Sequence, residues 1–195
     1  MAMLSPAIYL LFQGIIGAKR SRWRCVKEYI RPVPGQRILD VGCGPGYVVE
    51  YFPKSDYIGL DTDQNYIKYA NHKYKHKGSF FCQELDDAAA KDLKPFDLII
   101  MNGLLHHLND TQVIELFQRA KRILKPGGKI VTLDGCYVKG QSRIAKKLLD
   151  YDRGKYVREQ RAYIGLASNV FDSVVTHIRH DLMRIPYTLI IMQIS

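Results

Sequence analysis

The chain has 195 residues, 47% of them apolar, with 29 Lys and Arg against 19 Asp and Glu, a formal charge of +10. This fits one soluble globular domain over residues 1–195, with no internal repeat or low-complexity tract. The charge favours an anionic partner, whether a phosphorylated or carboxylated small molecule, nucleic acid or an acidic membrane surface, and says nothing about fold.

The four cysteines, Cys25, Cys43, Cys82 and Cys136, are widely spaced and form no CxxC pair. They read as reduced thiols, with neither a disulfide framework nor a metal site expected. The apolar segment from Ala7 to Ala18 is too short to span a bilayer. Its charges, Lys19 and Arg20, follow it rather than precede it, the reverse of a secretory signal. A cytoplasmic protein is expected.

Residues 1–30 read as an N-terminal helical cap. Within SPAIYLLFQGIIGAKRSRWR, Ser5 can cap a helix whose apolar stripe includes Ile8, Leu11, Phe12 and Ile15. Such a helix could be a flap closing over a ligand site, with Tyr9 and Phe12 excluding water. It could instead dock on the core. A membrane-surface helix helped by Lys19, Arg20, Arg22 and Arg24 ranks below both.

From Arg37 the chain alternates between two periods. Short β-rich apolar runs occur at Arg37–Val41, Tyr57–Leu60, Ser79–Cys82, Phe96–Met101 and Lys129–Leu133. Helical spacing is clearest at Gln64–Lys77 and at Thr111–Leu124, the latter capped by Asp110 or Thr111 and stopped by Pro126-Gly127-Gly128. Strand, helix, strand in series predicts parallel pairing with right-handed crossovers. The last two strands, Val174–His180 and Tyr187–Ile194, lie too close for a crossover helix and must form an antiparallel hairpin. The fold class is therefore α/β: a Rossmann-like, seven-stranded, mostly parallel sheet with a C-terminal hairpin and helices on both faces. Residues 137–170 form an insert between the fifth and sixth strands. From Lys139 to Arg161 it carries eight basic and three acidic residues, half of the chain's excess charge.

The first strand ends in Asp40-Val41-Gly42-Cys43-Gly44-Pro45-Gly46. A glycine turn at this point can bring backbone N–H groups against a ligand. The spacing is Gly-x-Gly-x-Gly, because Tyr47 occupies the last glycine position of the dinucleotide fingerprint. Asp40, ahead of the glycines, would repel a pyrophosphate and welcome an ammonium. Asp61 ends the second strand, where an acid reaches ribose hydroxyls. A ribose at one end and a cation at the other fit S-adenosylmethionine better than NAD.

The blocks ILDVGCGPG (38–46), YIGLDTD (57–63), FDLIIMNGLLHHLND (96–110) and LKPGGKIVTLDG (124–135) resemble the class I S-adenosylmethionine-dependent methyltransferases, particularly their small-molecule branch. The resemblance covers roughly residues 20–195. It implies S-adenosyl-L-methionine as cofactor. Gly42 and Gly44 would pass under its methionine moiety, with Asp40 beneath the amino group. Asp61 would hold both ribose hydroxyls, with Thr62 beside the adenine. Glu84 would meet the adenine amino group and Leu85 the ring, although Asp86 and Asp87 close behind leave that acid's identity open. The main-chain carbonyl of Asn102 would meet the ammonium. The plainer readings are mere turn residues for Gly42 and Gly44 and an ordinary helix cap for Asp61.

Transfer to a hydroxyl requires alignment of the nucleophile and removal of its proton. His106 and His107 follow the fourth strand and Asp134 ends the fifth, at the sheet edge where open α/β folds bind substrates. Some sugar O-methyltransferases of the family resemble this arrangement. The expectation is a histidine base, His107 ahead of His106, supported by Asp134. The plainer reading is a ring that only packs or caps the loop. The insert would act as a lid, with Arg153, Arg158 and Arg161 binding a negative charge on the acceptor, or would be a solvated basic surface. The Asn-Pro-Pro-Tyr signature is absent, Met101-Asn102-Gly103-Leu104 standing in its place. No second catalytic cysteine accompanies Cys136.

The expected activity is methyl transfer to a small or medium-sized molecule at a hydroxyl oxygen, nitrogen being second. An RNA methyltransferase is the rival that the charge encourages, but no RNA-binding module or stacking platform accompanies it. A non-catalytic cofactor-binding subunit is another rival, and an NAD-dependent oxidoreductase a distant third.

Overall fold

The computed structural model describes residues 5–152 and 154–195. Helix α1 (Pro6–Ile16) and α2 (Ala18–Cys25) lead into a π-helical turn at Val26–Ile30. The strands are β1 (Arg37–Val41), β2 (Asp56–Asp61), β3 (Ser79–Cys82), β4 (Phe96–Asn102), β5 (Leu124–Tyr137), the two-residue β6 (Arg158–Glu159), β7 (Val174–Arg179) and β8 (Leu189–Ile194). Between them lie α3 (Gln64–Tyr74), α4 (Asp87–Asp92), α5 (Asp110–Arg122), α6 (Arg143–Asp150) and α7 (Gln160–Ser168).

The sheet order is β3-β2-β1-β4-β5-β8-β7, parallel up to β5 and antiparallel at β8 and β7. This is the expected seven-stranded sheet, with β6 added beside the end of β5. A short 3-10 turn (Tyr47–Tyr51) follows β1. Two local expectations need correction. Strand β5 begins earlier than its apolar run because Leu124 pairs with Phe96 of β4, and ends later because β8 pairs it as far as Gly135 and β6 pairs Cys136 and Tyr137. The cap of α5 is Asn109, which forms a reciprocal capping box with Gln112.

Alternation along β1 and β4 divides the core between two faces. Leu39, Ile99 and Met101 face α5 and α7, while Ile38, Leu98 and Ile100 face α2 and α3. Helix α5 shows how the period works. Val113, Leu116, Phe117 and Ala120 are buried at successive helical turns, the larger ones contributing roughly 1.5–3 kcal/mol each. Both crossover layers leave the carboxyl ends of β1, β2, β4 and β5 open along one edge, and the site lies there.

Helix α1 differs from expectation in one respect. Tyr9, Leu10, Gln13 and Ile16 face inward, while Ile8, Leu11, Phe12 and Ile15, the stripe read as a docking face, lie exposed. No helix among the described residues is long and apolar enough to cross a membrane.

Candidate active site

At the end of β1 the backbone N–H groups of Gly42 and Cys43 both donate to the Leu60 carbonyl, so the turn is stitched to β2. Gly42, Gly44 and Gly46 all have positive φ, at 73°, 54° and 77°, a region that costs L-residues strain. Gly46 is needed twice over, since a Cβ there would fall 2.8 Å from both Ala70 Cβ and Phe80 Cε1. A Cβ on Gly44 would instead meet nothing within 4 Å. That position faces open space.

Asp61 organises this turn. Its Oδ2 accepts from Gly44 N at 2.7 Å and its Oδ1 from Asp63 N at 2.9 Å. Burial raises its pKa despite these N–H groups. Asp40 is buried beneath, where the Tyr57 hydroxyl donates to its Oδ2 while Oδ1 has no partner among the described residues. Burial pushes the Asp40 carboxyl up to about 7, against the Tyr57 hydrogen bond and the nearby Arg22 charge. An orphaned buried carboxylate oxygen is costly. A ligand ammonium would satisfy it.

A cavity of about 620 Å³ runs over this floor, and Asp40, Gly42, Gly44, Asp61, Thr62 and Glu84 all line it, with Leu85 and Asn102 beside them. The acids after β3 now separate. Asp86 caps α4 by accepting from Ala89 N, and Asp87 pairs with Arg122. Glu84 is left exposed on the cavity rim. The residues fit a nucleoside bearing an ammonium group: carboxylates for a ribose and an amine, and a glycine floor between them.

A second cavity of about 460 Å³ adjoins the first. Tyr9, Arg22, Gly103 and His107 line both. The β4–β5 register sets Asn102 opposite Leu133, and Gly103 N donates to the Leu133 carbonyl at 2.7 Å. Asp134 therefore lies beside the loop that carries the two histidines. The ring it holds is that of His106, with Nδ1 2.8 Å from Asp134 Oδ1. This reverses the expected order of the pair, in which His107 was ahead. On the 3-10 turn Leu105–His107 the two ring centroids lie 4.2 Å apart, and it is the His106 ring that Asp134 meets.

The far side of the His106 ring faces the insert. Its Nε2 lies 3.3 Å from Asp152 Oδ1, and Tyr187 donates its hydroxyl to Asp152 Oδ2 at 2.6 Å. A Cβ on Gly154 would fall 1.9 Å from His106 Cδ2, so the insert backbone lies directly against the ring. Burial disfavours the imidazolium, but the Asp134 and Asp152 hydrogen bonds outweigh it, and the His106 pKa is pushed up to about 9. Asp152 is lowered well below the carboxylate range: burial opposes ionisation, and His106 and Tyr187 override it.

A family model describing a methyltransferase domain matches residues 38–128. Over 112 residues the chain is 36% identical to phosphoethanolamine N-methyltransferase 3 of Arabidopsis thaliana, covering 53% of this chain and 22% of that protein. Over 101 residues it is 34% identical to a ubiquinone biosynthesis O-methyltransferase of Coxiella burnetii, covering 49% of this chain and 42% of the relative. Residues 38–128 carry a methyltransferase domain. The fold agrees. A TehB-like SAM-dependent methyltransferase from Corynebacterium glutamicum superposes on it with a TM-score of 0.66 at 17% identity, over 97% of both chains. The chain spans less than half the length of these two curated relatives.

The arginines of this chain do not lie where the basic insert suggests. Arg158 is buried and committed to the fold. Its guanidinium donates to the carbonyls of Leu105, Leu108 and Tyr156 and pairs with Asp110. It thus clasps the loop that presents His106 and has no donor to offer an acceptor. Arg161 is exposed on α7 and lines neither cavity. Arg153 lies outside the described residues. Arg158→Ala is expected to lower stability by roughly 3 kcal/mol, because three carbonyls lose their donor. Urea unfolding checks this, and a loss below about 1 kcal/mol would mean that water replaces the clasp.

The arginine that lines both cavities is instead Arg22, whose Nη1 donates to Gln13 Oε1 at 2.6 Å and to the Tyr47 hydroxyl at 2.7 Å. No carboxylate pairs with it among the described residues. Burial opposes its charge, but Tyr47 and Tyr9 favour it, and its pKa is raised. Sequence reading placed Arg22 only in a basic cluster. Asp152, Tyr57 and Tyr187 carried no signal at all.

Proposed function

We propose that this chain transfers a methyl group from S-adenosylmethionine to a hydroxyl oxygen of a small molecule. The observation that carries the reading is the junction of the two cavities. One is floored by the glycine turn and the other is walled by the Asp134–His106 pair, and both are lined by Gly103 and His107. Asp61 holds the ribose hydroxyls of the cofactor, Thr62, Glu84 and Leu85 surround its adenine, and the orphaned Asp40 oxygen and the Asn102 carbonyl take its amino group. Arg22 offers an anion site at the junction, in place of the insert arginines.

When bound, the cofactor supplies an electrophilic methyl on a sulfonium sulfur. This chain's residues must then orient the acceptor and take its proton. Asp134 holds the Nδ1–H of His106, which leaves Nε2 as the acceptor of a hydroxyl proton. The 3.3 Å approach of Asp152 to Nε2 is the longer of the ring's two contacts, and an acceptor hydroxyl can displace it. Tyr9, Phe12 and the insert residues Leu148 and Tyr151 line the acceptor cavity, and an acceptor packed against them would displace water from the reacting atoms.

A second reading has a specific observation behind it. Two carboxylates facing one imidazole would also attract an amine, and one relative is named as an N-methyltransferase. Methyl-labelled cofactor incubated with the protein and a panel of small hydroxyl and amino compounds separates the two. Label on oxygen is expected. Label on nitrogen alone would overturn the oxygen assignment, and no label with any compound despite cofactor binding would leave a non-catalytic cofactor-binding protein.

A further inference from the structure

Helix α1 contains no charged residue, and one complete side of it is bare. Ile8, Leu11, Phe12 and Ile15, at i, i+3, i+4 and i+7, are 54%, 65%, 51% and 62% exposed. The opposite side is fully used: Leu10 is buried in the core, Tyr9 packs against Tyr66, and Gln13 holds Arg22. An apolar stripe of four large side chains turned to water costs solubility, and a patch of this kind marks an interaction surface.

Its surroundings identify the partner. A groove between α1 and α3 runs beside the stripe, lined by Leu11 and Ile15 and by three cations, Lys19, Lys73 and Arg184. None of the three pairs with a carboxylate among the described residues. Lys19 and Lys73 lie over tyrosine rings, and Arg184 donates to the Gly14 carbonyl. Arg20, one turn on, adds an exposed fourth. Apolar side chains ringed by unpaired cations match a surface that is apolar inside and anionic at its face. A second copy of this chain would bring the same +10 charge and the same cations against these, which opposes self-association.

We propose that the outer face of α1 docks on anionic lipid membranes, inserting Ile8, Leu11 and Ile15 among the acyl chains while Lys19, Lys73 and Arg184 meet the headgroup phosphates. Phe12 stands at the border, since it is exposed on this face and also lines the acceptor cavity. Docking is a property of the helix surface and needs no methyl transfer, so it is tested apart from the reaction.

The test is co-sedimentation of the full chain with phosphatidylcholine vesicles, with and without phosphatidylglycerol. The wild-type protein is expected to sediment with the anionic vesicles and to be released by salt. The double variant Leu11→Glu/Ile15→Glu is expected to lose at least about tenfold in partitioning. Its melting temperature and cofactor binding should be unchanged, because both positions are exposed and line neither cavity. Lys73→Glu should weaken anionic vesicle binding about fivefold or more and leave binding to neutral vesicles alone. Wild-type protein that stays in solution with anionic vesicles overturns the proposal, as does a double variant that binds like wild type. A wild-type dimer that the double variant dissociates, without vesicle binding, would assign the face to a second copy instead.

Discussion

His106→Asn is expected to lower kcat by roughly 10²–10⁴-fold with little change in cofactor affinity, because the ring belongs to the acceptor cavity rather than the glycine floor. The pH dependence makes the role specific. Only the neutral ring can accept a proton, and Asp134 and Asp152 together hold the imidazolium up to about 9. The rate should therefore climb with pH and level off near 9, not near the ordinary imidazole value of about 6.5. Below that midpoint each unit of acidity removes about nine-tenths of the reactive form. Asp152→Asn takes away one of the two carboxylates that favour the cation, so the midpoint should move toward acid. Asp134→Asn should do the same and also lower the plateau, because the ring loses its anchor at Nδ1. The groups facing the ring are His107 from its own turn, Asp134 from β5, Asp152 from the insert and Tyr187 before β8, through Asp152. A rate that stays flat between roughly pH 6 and 10, with the chemical step limiting, would remove His106 as the base.

Asp61→Ala is expected to weaken cofactor binding by roughly 2–4 kcal/mol, about 30- to 1,000-fold in Kd. The carboxylate has two tasks that fail together. In the proposed role it would accept from the ribose hydroxyls, and it is also the clamp that holds Gly44 N at 2.7 Å and so shapes the floor of the cavity. Asp61→Asn keeps one oxygen acceptor and should lose less. Stability should change little in either variant, since Gly44 N opens onto the cavity and water can replace the side chain. Calorimetric titration with the cofactor and its demethylated product reads the effect directly. Binding by Asp61→Ala within about threefold of wild type would place the ribose elsewhere.

The cofactor half of this protein is legible in the sequence because its logic is local. A β-rich run ending in Asp40 and three spaced glycines must turn sharply at one place, and a second run ending in Asp61 must lie beside it. The strand period and the short C-terminal connection then fix the order of the sheet. The acceptor half is not local. Whether His106 or His107 meets Asp134 depends on a 3-10 turn held by Arg158, fifty residues downstream, and neither histidine differs from the other in composition or spacing. Asp152 belongs to a charged insert whose periodicity marks no inward face. Helix α1 is apolar on nearly every side, so its hydrophobic stripe could not say which side faces in. Arg22 is one of four closely spaced cations, and only the Gln13 and Tyr47 contacts distinguish it.

The split between the halves also governs how such a protein can diverge. The walls of the first cavity come almost wholly from residues 38–128, the stretch shared with other methyltransferases. Much of the second is borrowed from outside that stretch: the first helix, the tail of β5 with its insert, and the approach to β8, represented by Phe12, Tyr151 and Tyr187. Those three segments can be rewritten without disturbing the first cavity. Drift in them would exchange one acceptor for another while the shared half, and every likeness detected through it, stayed the same.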